Sequence, residues 1–275
     1  MSKQNMRASV RKRIEKKGLY AIVKSGLSPM VMGAIVLGAA LIAICAIWFL
    51  FLSNYAIGDD DFAYEMVFLV IVGALLIIHG GLQVVIDKRS IGARKEGMAL
   101  LTDHYKRPLE EILQEIEAEI KTADEIPATN GGGFINRLSG TERVGYFTKN
   151  WYIAPRFERF VKYTDIITVV EAGEKGVEAK GTYIIPTHGD ILWDMFGKRE
   201  NRDRLFGIIQ VANPYMLSPH DTIELNGQAI GIYQAIDRVT SDTPLVEDSK
   251  TMKAERAIVL KAMNHAFSNK QAMKQ

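Results

Sequence analysis

The sequence contains a single cysteine, Cys45, which lies inside an apolar run. A lone thiol cannot form an internal disulfide, so nothing points to an oxidising compartment. An excess of charge of one sign is also lacking, because 34 Lys and Arg residues face 32 Asp and Glu residues and leave a formal net charge of +2. That balance gives no reason to expect nucleic acid as a partner. The length of 275 residues allows one or two domains.

Catalytic and cofactor motifs are lacking as well. The glycines at 131–133 are not followed by the Gly-Lys-Ser/Thr of a phosphate-binding loop and do not have the spacing of a dinucleotide fingerprint. Ser139 and Ser218 have no nucleophile-elbow context. We therefore expect no cofactor and no enzymatic activity, and we interpret residues 127–143 as a flexible linker.

Two pairs of residues come nearest to a metal or acid–base site. His188 and Asp190 share one turn, and His220 and Asp221 follow Pro219. A fold that brought these four together would allow them to ligate zinc or to activate water. Their spacing matches no metal-binding cluster, and histidines in polar loops are usually solvated. We therefore expect no metal site.

Two long uncharged runs dominate the first third of the chain, from Met30 to Leu52 and from Met66 to Ile86. A helix rises 1.5 Å per residue, so about 20 residues cross a hydrocarbon core of roughly 30 Å. A pair of buried soluble helices is the alternative, but both runs are too long and too uniform for it. A cleaved signal peptide is not expected, because residues 1–28 are polar and precede the first run. The sequence therefore predicts a transmembrane hairpin over residues 29–87.

Flanking charge predicts the orientation of this hairpin. Residues 1–28 and the stretch that follows the second run are basic, whereas the loop 53–65 has no Lys or Arg and carries three consecutive aspartates, Asp59 to Asp61. Because basic flanks stay inside, both termini are expected in the cytosol, with the acidic loop outside a multi-pass protein of the plasma membrane. The aspartates lack the spaced ligands of a calcium loop, so a solvated loop is the preferred interpretation.

Basic side chains beside a membrane also attract anionic lipid headgroups, by roughly 1 kcal/mol each. We predict this as a secondary effect, since topology already accounts for the charges. The candidate headgroup contacts are Arg11, Lys12, Arg13, Lys16, Lys17, Lys88 and Arg89.

Polar and small residues mark the two runs. His79 and Gln83 form a candidate intramembrane polar site, and we expect a neutral His79 hydrogen-bonded across the hairpin rather than a proton or ligand site. Small residues recur at helical spacing, including Ala34, Gly38 and Gly73, and such stripes let helix backbones approach closely. Packing of the two helices against each other is favoured. Homo-oligomerisation and docking against another membrane protein remain open.

The remainder of the chain is polar and patterned for helices and short strands. Apolar residues at helical spacing from Leu109 to Ile120 predict a helix inside a juxtamembrane region, 88–126, that packs on a globular domain or forms a coiled coil. Residues 144–240 predict a β-rich domain with one helix, whose N-cap is Asn201 and which ends at Asn213-Pro214. Asn226-Gly227 predicts a hairpin turn between strands 222–225 and 229–236. Residues 241–275 are interpreted as a basic helical tail, on the inner leaflet or solvated.

Three segments carry a resemblance to a known class. They are FTKNWYI (Phe147 to Ile153), KYTDIITVVE (Lys162 to Glu171) and RLFGIIQVANPYML (Arg204 to Leu217). The stretch from Val144 to Leu217 resembles the pleckstrin-homology-like cytosolic domains of uncharacterised bacterial two-span membrane proteins. The resemblance implies a small antiparallel β-barrel closed by a helix, which binds peptides, proteins or lipids without catalysis. It transfers no functional residue to this chain.

The expected fold class is thus a membrane α-hairpin plus an α+β cytosolic domain. The expected function is a non-catalytic binding or scaffolding module that recruits a cytosolic partner or reads the inner membrane surface. The alternative is an accessory subunit of a larger membrane transport or secretion complex. Expected partners are the lipid bilayer and proteins, including a second copy of the chain through the transmembrane helices.

Overall fold

The computed structural model describes residues 5–25, 29–52, 60–129, 144–172, 181–194, 196–197, 199–240 and 250–273. Within these residues the chain has an α+β fold of eight α-helices and small antiparallel sheets. It divides into two units. Unit 1 contains the chain up to Val23 and from Arg94 onward, and unit 2 runs from Lys24 to Ala93. Residues 130–143, which make up most of the expected linker and include the glycines at 131–133, lie outside the described residues.

The helices are α1 (Ala8–Lys17), α2 (Leu19–Lys24), α3 (Pro29–Leu52), α4 (Asp60–Tyr105), α5 (Leu109–Thr122), α6 (Arg199–Ala212), α7 (Ile232–Val239) and α8 (Lys250–Ala272). The strands are β1 (Tyr146–Phe147), β2 (Trp151–Ile153), β3 (Phe160–Lys162), β4 (Ile166–Ala172), β5 (Gly181–Pro186), β6 (Leu192–Asp194), β7 (Thr222–Leu225) and β8 (Gln228–Gly231). They form the antiparallel meanders β1–β2–β3 and β4–β5–β6 and the hairpin β7–β8.

Unit 2 consists of α3 and the first part of α4, packed against each other. Gly38 lies against the backbone of Gly73, and Gly80 lies against the side chain of Ile35. Among the described residues, the stretch Val67–Tyr105 of α4 is the one long and apolar enough to cross a membrane, and Met32–Trp48 is a shorter apolar stretch. The close approach of two helices at small residues is the packing that the sequence favoured.

The first core of unit 1 joins its N-terminal helices to α5 and the first meander. Val10 and Ile14, four residues apart on α1, are buried against the apolar stripe of α5, which includes Ile112 and Ile116. Gly18 ends α1 at a φ of 76°, a left-handed conformation that favours glycine, and its N–H donates to the Ile14 carbonyl. The α5 stripe therefore packs on the globular body and does not form a coiled coil.

The second meander and the C-terminal elements complete unit 1. Asn226 and Gly227 both have positive φ, 54° and 77°, as the predicted hairpin turn requires. The following strand ends at Gly231, earlier than predicted, because Ile232–Val239 forms α7 with one buried face. Helix α8 buries Val259, Met263 and Phe267 in the same core as α7 and the hairpin. The tail is thus a docked helix in this structure.

No sheet among the described residues closes into the expected barrel. The 3₁₀ turn Tyr163–Asp165 separates β3 from β4, so that each meander forms its own sheet. Asn213 reinforces this break, since its side-chain amide donates to the carbonyls of Tyr163 (2.9 Å) and Ile166 (2.8 Å). Those two carbonyl groups are therefore satisfied by a side chain at the point where the first sheet ends.

Asn201 does not cap α6, contrary to the sequence prediction. The helix begins at Arg199, and the Asn201 amide donates instead to the carbonyls of Phe196 (2.7 Å) and Ala128 (3.4 Å). Asn213 does follow the last helical residue, Ala212, as predicted. A tertiary contact has replaced the local capping role at the start of the helix.

Candidate functional site

His79 and Gln83 take different environments on α4. His79 is exposed, whereas its neighbour Gly80 faces α3. Successive residues of a helix point about 100° apart, so the contact at Gly80 turns His79 away from α3. Gln83 is buried, and its Oε1 atom has no hydrogen-bond partner among the described residues. His79 therefore does not face the other helix of unit 2. Among the described residues, the predicted hydrogen bond across the hairpin is not formed by this side chain.

The candidate headgroup contacts lie on two helices. On α1, Lys12, Arg13, Lys16 and Lys17 are exposed, whereas Val10 and Ile14 are buried. On α4, Lys88 and Arg89 are exposed within unit 2. These six side chains are accessible to a partner or a membrane surface, and the headgroup contact stays a prediction.

Arg11 is the exception in this set, because its guanidinium caps the end of α5. Nη1 donates to the carbonyl of Ala123 (2.8 Å), Nη2 to that of Lys121 (2.7 Å), and Nε to Glu15 (3.2 Å). A cation at the C-terminal end of a helix also complements the helix dipole. Arg11 thus ties α1 to α5.

The two His–Asp pairs singled out in the sequence do not come together. Asp190 pairs with Arg256 at 3.1 Å, and Asp221 pairs with Lys270 at 2.9 Å. Burial alone would raise the pKa of Asp221, but the hydrogen bonds from Lys270 and from the Ser218 N–H outweigh it and lower the pKa. Both carboxylates hold α8 to the rest of unit 1.

His188 instead meets His104 and Asp165, two residues far from it in sequence. His104 lies in the last turn of α4, Asp165 ends the 3₁₀ turn after β3, and His188 follows β5. One ligand-type atom from each of the three lies within 4.8 Å of the other two. The imidazole rings of His104 and His188 stack, with centroids 3.9 Å apart and planes 15° apart. Nε2 of His104 is 3.5 Å from Oδ2 of Asp165.

Neighbouring groups hold this trio in place. The hydroxyl of Tyr105 donates to Oδ2 of Asp165, and the Thr187 N–H donates to the Asp165 carbonyl at 2.8 Å. The Thr187 hydroxyl lies 3.3 Å from Nδ1 of His188. The tyrosine ring packs edge-on against Trp151. The carboxylate and one imidazole are therefore oriented by partners outside the trio.

Burial changes the pKa values of His188 and Tyr105. Burial, reinforced by electrostatic interactions with His104 and Arg159, lowers the pKa of His188 to about 4, against the opposing charge of Asp165. Burial also raises the pKa of Tyr105, and so do the hydrogen bond to Asp165 and the charge of that carboxylate. At neutral pH His188 is thus an unprotonated imidazole with a free lone pair, and Tyr105 keeps its proton. Two imidazoles and a carboxylate form a donor set for a metal ion.

Sequence reasoning named His188 but missed its partners. His104 follows a polar helical stretch and Asp165 lies inside a strand-like run, so neither stood out locally. No spacing signal links three residues whose contact depends on how α4, the first meander and β5 pack.

The chain matches no protein-family model, and no curated protein or solved structure is significantly similar to it. The resemblance to a pleckstrin-homology-like domain accordingly stays a prediction.

Proposed function

We propose that this protein is a membrane-anchored, non-catalytic binding module, held in the plasma membrane by the hairpin of α3 and α4 with both termini in the cytosol. One observation carries the proposal. The two apolar helices of unit 2 pack on each other through glycines while most of their large apolar side chains point outward.

The exposure of these side chains distinguishes the two helices from core helices of a soluble protein. Val36, Phe68 and Leu75 are 64%, 65% and 60% exposed, and 18% of the most apolar window of α4 is buried. Fully burying one such side chain is worth about 2 kcal/mol, so a whole helical surface of them is strongly unfavourable in water. Lipid removes that penalty, and this supports insertion of both helices as a two-span hairpin.

Unit 1 supplies the binding part of the proposal. Three buried apolar cores form within it, and Lys12, Arg13, Lys16 and Lys17 of helix α1 are exposed. A basic segment that precedes an apolar helix in the sequence suits the anionic inner surface of a membrane or an acidic protein partner. The antiparallel meander β4–β6, followed by α6, is the part of unit 1 that supports the pleckstrin-homology-like expectation.

One observation favours a second candidate, an accessory subunit of a larger membrane complex. His79 is exposed in the middle of an apolar helical surface. A polar side chain that faces lipid is unfavourable, and a helix from another membrane protein would supply a hydrogen-bond partner. Both candidates include the transmembrane hairpin. They differ in whether lipid or a helix of another membrane protein contacts the exposed side of α4.

Membrane insertion and topology are tested with thiol labelling in a Cys45→Ser background. An impermeant reagent is expected to label Ser53→Cys in intact cells and Ala8→Cys only after permeabilisation, and the protein should stay in the pellet after carbonate washing. Release by carbonate, or equal labelling of both positions in intact cells, would overturn the proposal.

The two candidates are separated by purification of tagged protein in mild detergent. If the protein is a binding module, we expect it to purify without other membrane proteins. Co-purification of a membrane protein that is lost in His79→Leu but kept in the neighbouring variant Ile78→Leu would replace the first candidate with the second.

A further inference from the structure

We infer that His104, Asp165 and His188 form a binding site for a divalent transition metal of the zinc class. The site lies within unit 1 and does not depend on the proposed membrane anchoring. It combines two imidazole nitrogens with one carboxylate oxygen, all within 4.8 Å of one another.

The donor atoms of His104, Asp165 and His188 must move closer together to hold a metal ion. A tetrahedral ion with ligands at about 2.1 Å has its donor atoms about 3.4 Å apart. The Nε2 atom of His104 already lies 3.5 Å from Oδ2 of Asp165. The stacked rings of His104 and His188 must turn apart so that both lone pairs converge. His104 is free to make that turn, because its side chain is 32% exposed at the end of α4.

The partners of the trio match those that surround metal ligands. Ligating carboxylates are generally hydrogen-bonded, and the second nitrogen of a ligating histidine has a polar partner. Tyr105 donates to Asp165, and the hydroxyl of Thr187 lies beside Nδ1 of His188, which leaves Nε2 of His188 for the ion.

Charge around the site is compatible with a cation. The nearby guanidinium of Arg159 opposes positive charge at His188, but it is paired with Glu96 at 3.3 Å. The Asp165 carboxylate supplies the negative charge within the trio itself.

The donor set selects the kind of ion. Calcium takes six to eight oxygen ligands and magnesium demands an octahedron of oxygens, whereas imidazole suits zinc, copper, nickel and iron. A single carboxylate with two imidazoles therefore excludes the hard cations as the preferred occupants. Three protein ligands leave a further position on the ion to water.

The test uses the full-length chain in detergent, purified with a tag that contains no histidine and stripped with a chelator. Zn²⁺ is titrated against a chromophoric indicator, and Co²⁺ reports the coordination geometry by visible absorption. We expect one ion per chain, binding weakened by about 100-fold or more in His188→Ala and His104→Ala, and by about 10-fold in Tyr105→Phe. The matched controls His220→Ala and His265→Ala remove exposed histidines of unit 1 outside the trio and should bind as the unmodified chain does.

A second measurement needs no substitution and so covers the case of a variant that does not fold. Zn²⁺ is expected to slow carbethoxylation of His104 and His188, but not of His220, in the unmodified protein as followed by mass spectrometry. The proposed site would be overturned if micromolar Zn²⁺ did not bind, or if His104→Ala and His188→Ala bound Zn²⁺ as tightly as the unmodified chain. It would also be overturned if Mg²⁺ competed as well as Zn²⁺ does, or if Zn²⁺ did not selectively protect His104 and His188. The trio would then be only a contact that joins α4 to the sheets.

Discussion

Gly38 of α3 and Gly73 of α4 face each other so closely that neither position has room for a side chain. A Cβ on Gly38 would lie 2.7 Å from the carbonyl oxygen of Gly73, and a Cβ on Gly73 would lie 3.0 Å from that of Gly38. The two helices of unit 2 are therefore close enough at this point for their backbones to be in contact.

Gly38→Leu should force α3 and α4 apart. Overpacking of this kind typically destabilises by about 1–3 kcal/mol, and here the obstacle is backbone, which cannot rotate away. Gly33→Leu and Gly81→Leu are the controls, because nothing lies within 4 Å of a Cβ at either position. Thermal unfolding of the detergent-solubilised chain, followed by protease resistance, measures the effect. Equal melting of Gly38→Leu and the controls would show that the glycine contact does not hold the helices.

The pair Asp221–Lys270 predicts a loss of stability in acid. The folded-state pKa of Asp221 lies below its ordinary value because hydrogen bonds from Lys270 and the Ser218 N–H outweigh burial. The unfolded chain then binds the proton more readily, so the contribution is fully present above about pH 4 and is lost as pH falls through the folded-state pKa.

Asp221→Asn should remove this part of the acid dependence. The variant is expected to be less stable at neutral pH and to approach the unmodified chain as the pH falls through the folded-state pKa of Asp221. Asp237→Asn, a carboxylate of α7 outside this pair, is the control. Urea unfolding across this pH range provides the measurement, and parallel stability curves for Asp221→Asn and the unmodified chain would contradict the assignment.

Glu119 connects α5 to the turn between β1 and β2. Its carboxylate accepts hydrogen bonds from the hydroxyl of Thr148 (2.7 Å), the N–H of Asn150 (3.0 Å) and the side-chain amide of Asn150 (2.6 Å). Glu119→Ala should destabilise unit 1 by about 1–2 kcal/mol, since these bonds to a charged group are partly exposed. Glu110→Ala, an exposed residue of the same helix, should change stability by less than about 0.5 kcal/mol. A loss in Glu110→Ala as large as that in Glu119→Ala would contradict the assignment of the effect to the hydrogen bonds with Thr148 and Asn150.

Arg11 should behave as a structural residue, unlike its basic neighbours. Arg11→Ala removes two hydrogen bonds to the end of α5 and is expected to destabilise unit 1 by about 1 kcal/mol. Lys12→Ala, next to it and exposed, should leave unfolding unchanged. Chemical denaturation of the two variants decides this, and identical midpoints would mean that the capping of α5 by Arg11 contributes nothing measurable.

Local signals anticipated several elements of unit 1. The helical spacing of apolar residues in α5 was readable because a helix repeats its buried face every 3.6 residues. The Asn226-Gly227 turn was readable because few residues tolerate positive φ. The spacing of Ile232, Ala235, Ile236 and Val239 also signalled α7, but its β-branched residues were interpreted as a strand. The prediction for Asn201 was wrong for a different reason, since its amide donates to the carbonyl of Phe196, just before the helix, and to that of Ala128 in another segment.

By itself the sequence determined the apolar runs, their basic flanks, the α5 stripe and the hairpin turn, because each depends on neighbours a few residues apart. Only the tertiary structure decided that α1 docks on α5 through Arg11, that the two meanders stay separate, and that His104, Asp165 and His188 meet. Such contacts depend on how whole elements pack, and packing brings together side chains between which the chain carries no periodic or spacing signal.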